Sequence, residues 1–152
     1  MKSNGAAGRP VEVLLVEDSP GDVRLTQEAF HEVNQLVYLH VVNDGVEAMA
    51  FLKREGKLRH APRPDMILLD LNLPRLDGRQ VLARIKEDEN LKTIPTVILT
   101  TSEDQMDILK SYELLANCYL TKPVELDQFE KLVKSINEFW LTMVKLPRQA
   151  PN

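Results

Sequence analysis

Five short apolar runs, each followed by a segment of helical period, constrain this chain more than any other feature. The runs are Glu12-Val-Leu-Leu-Val16, residues 36–42, Met66-Ile-Leu-Leu-Asp70, Thr96-Val-Ile-Leu-Thr100 and residues 118–121. The first is almost continuously apolar, as expected of a strand covered on both faces. Residues 22–33, 46–54, 78–89, 105–115 and 125–144 carry apolar side chains three and four apart, although 22–33 is not a clean stripe. Asn43-Asp44-Gly45 reads as a turn, and residues 56–64, with a glycine and two prolines, as a loop. Strand then helix, five times over, predicts an α/β fold: a doubly wound, five-stranded parallel sheet with helices on both faces.

One such domain fills the 152 residues. Residues 1–10, small and polar, read as a disordered lead-in, residues 11–145 as the domain and residues 146–152 as a tail. The lead-in lacks the apolar stretch of a secretory signal, and no apolar run approaches membrane-span length. A net charge of −4 gives no electrostatic footprint for nucleic acid. The single cysteine, Cys118, excludes an intrachain disulfide and any multi-cysteine metal site. Its setting in a strand-like run reads as a small buried hydrophobe rather than a redox thiol. A lone cysteine fits a reducing, cytoplasmic setting.

In open doubly wound sheets the site lies at the carboxyl ends of the strands. Strand one ends in Glu17-Asp18, strand three in Asp70, strand four in Thr100-Thr101 and strand five in Lys122-Pro123. Taken singly, each has a plainer explanation: a solvated loop or helix cap, β propensity, a turn. Their joint placement at one sheet edge outweighs those explanations. Three carboxylates gathered in a partly dry pocket need compensation. A hard cation with oxygen ligands supplies it, and Mg²⁺ suits a site with few carboxylates and several waters. A carboxylate between such a metal, an ammonium and a hydroxyl can accept a phosphoryl group.

Glu17-Asp18-Ser19, Leu69-Asp70-Leu71-Asn72-Leu73-Pro74, Asp77-Gly78, Leu99-Thr100-Thr101 and Lys122-Pro123 resemble the receiver domain of two-component response regulators, whose sheet is flavodoxin-like. The resemblance spans about residues 11–145. It implies that Asp70 is the phosphoacceptor. It implies that Asp18 and Asp70 bind Mg²⁺ directly with the Asn72 backbone carbonyl, and that Glu17 acts through water. Lys122 would contact Asp70 and then the phosphoryl group, Thr100 would bond a phosphoryl oxygen, and Tyr119 would be the switch aromatic that follows the threonine inward. The family more often has Asp-Asp where this chain has Glu17-Asp18. Pro74, Asp77 and Gly78 also have a local reason, since Pro fixes φ and Gly admits positive φ in the loop bearing Asn72. The resemblance implies no enzyme beyond Mg²⁺-dependent self-phosphorylation and autodephosphorylation.

A narrower likeness rests on Arg63-Pro64-Asp65 with the run that follows, on Cys118-Tyr119-Leu120-Thr121-Lys122 and on Glu138-Phe139-Trp140-Leu141. These resemble the small single-domain response regulators of bacterial and cyanobacterial phytochromes, which implies a phytochrome histidine kinase as partner. The chain stops after its fifth helix, so its output is expected to be a partner or an oligomeric state. The last helix, with Phe139, Trp140 and Met143 beyond the part that covers the sheet, reads as a homodimer interface shared with the fourth helix and fifth strand. The alternative is that those three residues complete the core.

Two competing functions differ in class. A haloacid-dehalogenase-type aspartyl-phosphate phosphatase places a second Asp two residues after its nucleophile; here that residue is Asn72, and no cap domain is present. A non-phosphorylated pseudo-receiver loses acceptor or metal carboxylates, whereas Asp18, Asp70, Thr100 and Lys122 are all kept. Lys53, Arg54, Lys57, Arg59, His60 and Arg63 form a basic stretch without stacking aromatics and read as a solvated loop. His31, His40 and His60 show no metal-ligand spacing.

Overall fold

The computed structural model describes residues 10–33, 36–101, 103–123, 125–143 and 147. Five strands, β1 (Val11–Val16), β2 (Val37–Val42), β3 (Met66–Leu69), β4 (Thr96–Thr100) and β5 (Cys118–Thr121), alternate with α1 (Pro20–Val33), α2 (Gly45–Lys53), α3 (Gly78–Glu87), α4 (Gln105–Glu113) and α5 (Leu126–Ile136). The strands form one sheet in the order β2-β1-β3-β4-β5. Every pairing is parallel.

Side-chain alternation divides the core in two. Leu14, Val16, Ile67, Leu69 and Ile98 face α2 and α3, where they meet Met49, Leu52, Val81, Leu82 and Ile85. Val13, Leu15, Met66, Leu68 and Val97 face α1 and α5, meeting Phe30, Phe129, Val133 and Ile136. The expected doubly wound sheet is therefore present. Chain order reverses between β1 and β3, and the crevice of such a sheet opens there.

Several boundaries differ from the sequence reading for physical reasons. The first helix begins at Pro20, earlier than Asp22, because Ser19 caps it: the Asp22 N–H donates to Ser19 Oγ at 3.3 Å. Gly78 does not carry positive φ; that conformation falls on Arg54, Arg75, Leu115 and Gly56. Gly78 serves a close approach instead, since a Cβ there would stand 2.2 Å from the Asp70 carbonyl oxygen. Asp77 caps α3 through a capping box with Gln80.

The last helix is not one regular α-helix to residue 144. Beyond Ile136 it widens into π-helical turns over Asn137–Met143. A five-residue turn sets Leu141 over Ile136, and Trp140 and Leu141 both pack on the α1–α5 side of the core. Trp140 is thus partly a core residue, as the alternative reading had it, whereas Phe139 is 54% exposed. The side chains of Met143, Val144 and Leu146 lie outside the described residues.

Cys118 is half-buried on the α1–α5 side, and burial pushes its thiol pKa up. Lys53, Arg54, Lys57, Arg59 and His60 are exposed. Arg63 instead ties two loops together, donating to the Asn90 carbonyl at 2.6 Å and to Thr93 Oγ1 at 3.1 Å. Among the described residues no helix is long and apolar enough to cross a membrane.

Candidate phosphoacceptor site

Backbone ladders carry past the strand ends and place the polar residues. The Glu17 N–H donates to the Val42 carbonyl at 3.0 Å, the Asp70 N–H to the Val16 carbonyl at 3.1 Å, and the Lys122 N–H to the Thr100 carbonyl at 2.7 Å. Residues distant in sequence are thereby brought to one edge without using their side chains. Asp70 is then fixed by its own loop, where the Asn72 N–H donates to Asp70 Oδ1 at 3.1 Å.

The site's centre is the Lys122 ammonium. It donates to Glu17 Oε1 in a short contact, to Asp22 Oδ2 at 2.9 Å and to Asp70 Oδ2 at 3.0 Å. The Lys122, Glu17 and Asp70 side chains are only 4%, 3% and 8% exposed. A buried charge in this position is tolerable because it is paired and hydrogen-bonded. Burial by itself would lower the lysine pKa, but the hydrogen bonds to Glu17 and Asp22 and the charges of Asp70 and Glu17 hold it above its ordinary value. Burial pushes the Glu17 carboxyl up to about 7, with Lys122 opposing and the Asp70 charge adding to the rise.

Glu17, Asp18 and Asp70 each offer a carboxylate oxygen, and these oxygens all lie within 4.8 Å of one another. Glu17 and Asp70 are buried while Asp18 is exposed, so the cluster opens to solvent on the Asp18 side. A set of hard oxygens, two of them desolvated, fits a hard divalent cation. The Asn72 side chain is also exposed. Thr100 is fully buried at the end of β4, beside Thr121 in register. Tyr119 is half-buried against the α2–α3 side of the core.

The residues expected to converge from strands one, three, four and five therefore do so. Phe139 and Trp140 lie apart from them, past the end of α5. Three contacts went unforeseen. Asp22 reaches Lys122 from the first turn of α1, four residues after Asp18; that spacing, one turn on, was the only sequence signal. Arg75, in the left-handed region at φ 67°, pairs with Asp44 at 3.1 Å and so ties the Asn72 loop to the start of α2. Arg79 makes a fork on Asp107 of α4, Nε to Oδ1 at 2.8 Å and Nη2 to Oδ2 at 2.6 Å.

A parallel sheet of this order, with buried carboxylates and a lysine meeting at its carboxyl edge, has the features of a phosphoryl-accepting signalling domain. The response regulator receiver domain family matches residues 13–134, and the chain belongs to that family: it is a response regulator. It is 51% identical to response regulator Rcp1 of Synechocystis sp. strain PCC 6803, covering 91% of this chain and 94% of Rcp1. A crystal structure of the Mn²⁺-bound form of Rcp1 superposes with a TM-score of 0.88 at 50% identity, covering 91% of this chain and all of that one. The phosphorylated cyanobacterial phytochrome response regulator RcpA gives a TM-score of 0.89 at 50% identity, covering 91% and 99%. The bacteriophytochrome response regulator AtBRR gives 0.70 at 39% identity, covering 87% and 96%.

Proposed function

We propose that Asp70 accepts a phosphoryl group from a histidine kinase, and that the phosphorylated chain changes its affinity for a partner or a second copy. The observation that carries this reading is the buried Lys122 ammonium joining Asp70 to Glu17 at the sheet's reversal point. A desolvated carboxylate beside a fixed cation is prepared for a charge that grows there. In the transfer, an Asp70 oxygen bonds to phosphorus while the bond from phosphorus to the donor breaks, and the donor leaves with the electron pair. Lys122 follows the charge onto a phosphoryl oxygen, and Thr100 supplies a hydroxyl to another, with Tyr119 following it.

Asp18, Asp70 and the Asn72 carbonyl would hold Mg²⁺, with Glu17 acting on it through water. The bound ion supplies positive charge beside the transferring oxygens. The Mn²⁺-bound Rcp1 structure supports a divalent ion at this site. The likeness to RcpA and AtBRR supports a phytochrome as the kinase, and a cytoplasmic location follows from that partner. The test is labelling by acetyl phosphate. Wild type should label only with Mg²⁺ present, and Asp70→Asn should not label, because an amide cannot form the acyl phosphate. Equal labelling of the mutant refutes the assignment. Phosphotransfer from a set of histidine kinases, phytochromes included, then identifies the donor.

For the output we propose a homodimer on the α4–β5–α5 face. Met106, Leu109 and Tyr112 stand exposed on α4, and Phe139 beyond the end of α5, an unusual apolar display for a small domain in water. Because Trp140 leans on the core, Phe139→Glu is the variant to use. Sedimentation should find a wild-type dimer at micromolar concentration and a folded monomer for the variant. A wild-type monomer with and without phosphorylation rules the dimer out.

A further inference from the structure

Of the three carboxylates around Lys122, Glu17 and Asp70 belong to the phosphoacceptor site. The third, Asp22, stands outside it on α1. Its backbone is held from both sides, because its N–H donates to Ser19 Oγ at 3.3 Å and its carbonyl accepts from Thr26 Oγ1 at 2.7 Å. A carboxylate in a first helical turn ordinarily serves the helix dipole. Here it also reaches 100 residues along the chain to Lys122 Nζ at 2.9 Å. Its side chain is 30% exposed, so it forms the wet rim of a pocket whose other members are nearly dry.

We infer that Asp22 is a positioning residue that restrains the Lys122 ammonium and slows phosphoryl transfer to Asp70. This rests on the phosphoacceptor reading above. An ammonium has three N–H donors, and Lys122 directs them at three carboxylates. The transferring phosphoryl group needs one of them. Asp22 competes for it, and its negative charge also repels an anionic donor approaching the same edge. Glu17 and Asp70 still hold the ammonium when Asp22 is neutral, so Lys122 keeps its place and gains freedom to follow the phosphoryl oxygens. The reaction itself is unchanged: the Asp70–phosphorus bond forms, the phosphorus–acetate bond breaks, and acetate leaves with the electron pair.

The experiment measures the rate constant for labelling by acetyl phosphate at saturating Mg²⁺ in wild type, Asp22→Asn and Asp22→Glu, at low and high ionic strength, with thermal melts of each. Asp22→Asn should label about two- to fivefold faster, the size expected of one partly screened charge contact. The gain should shrink at high salt, and Asp22→Glu should return the rate toward wild type. A helix-dipole role would lower the melting temperature and leave the rate alone. An unchanged or slower rate in a folded Asp22→Asn protein overturns the inference. If wild type does not label, or Asp70→Asn labels equally, the phosphoacceptor reading falls and this inference with it; both controls read out before the variants are compared.

Discussion

The phosphoacceptor edge and the neighbouring helix α4 are built on opposite plans. At the phosphoacceptor edge, charges are buried and joined by contacts spanning 52 to 105 residues. At α4, the one fully buried side chain is Ser111, whose hydroxyl is the only buried side-chain polar atom without a hydrogen-bond partner among the described residues. The helix wears Met106, Leu109 and Tyr112 on its outside. Every other helix with described buried residues puts apolar groups against the sheet. A desolvated ionic cluster resists small displacements, because each charge would lose its partner in a low dielectric. A helix held by few apolar contacts opens at low free energy. The site is built to be stiff and α4 to be movable, which is the division of labour a switch requires.

The largest test of this contrast removes the stiff centre. Lys122→Met leaves Glu17 and Asp70 buried without their cation, a change that typically destabilises by about 3 kcal/mol or more. Denaturant melts of the Mg²⁺-free protein should show that loss, and added Mg²⁺ should restore part of it by rebalancing the carboxylates. A variant as stable as wild type without Mg²⁺ would mean that the cluster does not stiffen the edge.

The metal carboxylates come next. Asp18→Ala should weaken Mg²⁺ binding by about 10- to 100-fold, and Glu17→Gln by only a few-fold, since a direct ligand contributes a bond and a water-mediated one orients the shell. Calorimetric titration measures both. Equal losses would mean that the two roles are misassigned.

Much of this was legible in the chain. Near-continuous apolar runs fix strands covered on both faces, and the polar residue ending each run is carried to the sheet edge by strand length alone. That logic found Glu17, Asp18, Asp70, Thr100 and Lys122. It missed Asp22 because a carboxylate at a helix start already has a sufficient local explanation. It missed the Arg79–Asp107 fork because two charges 28 residues apart on different helices leave no period. Gly78 was assigned to positive φ when steric closeness to Asp70 was the cause; both demands select glycine, and sequence cannot separate them. The π-helical turns after Ile136 were hidden for a similar reason, because apolar residues at 136, 140 and 141 fit spacings of four and five together.

Cys118 offers a smaller test between the two regions, since β5 borders both. Its thiol pKa is raised by burial, and only the thiolate reacts. Alkylation at pH 8 should therefore be slower than for a free cysteine, and its rise with pH should lie to the alkaline side of the free thiol's. Denaturation should remove both effects. A native rate equal to the free thiol's would place β5 in an open, water-exposed edge.

The smallest expected effect concerns what keeps α4 in place. Arg79 sits at the start of α3, directly after the loop that carries Asn72, and forks onto Asp107 while also touching Asp77 at 3.0 Å. A second tie on α4 is the Tyr119 N–H of β5 donating to the Tyr112 hydroxyl at 3.2 Å. The Arg79 and Asp107 side chains are 30% and 20% exposed, so water screens the pair and its contribution falls near 1 kcal/mol. Spread over a whole domain that is modest, but concentrated on a weakly packed helix it decides the opening equilibrium. Arg79→Ala should leave global stability within about 1 kcal/mol of wild type and speed amide exchange in α4 by about fivefold, with the amides of β1 and β3 unaffected. Asp107→Asn should do the same, and the double variant should add little to either single one. Exchange that quickens equally across the sheet would show that α4 is bound into the same cooperative unit as the phosphoacceptor edge, and the contrast between the two regions would fail.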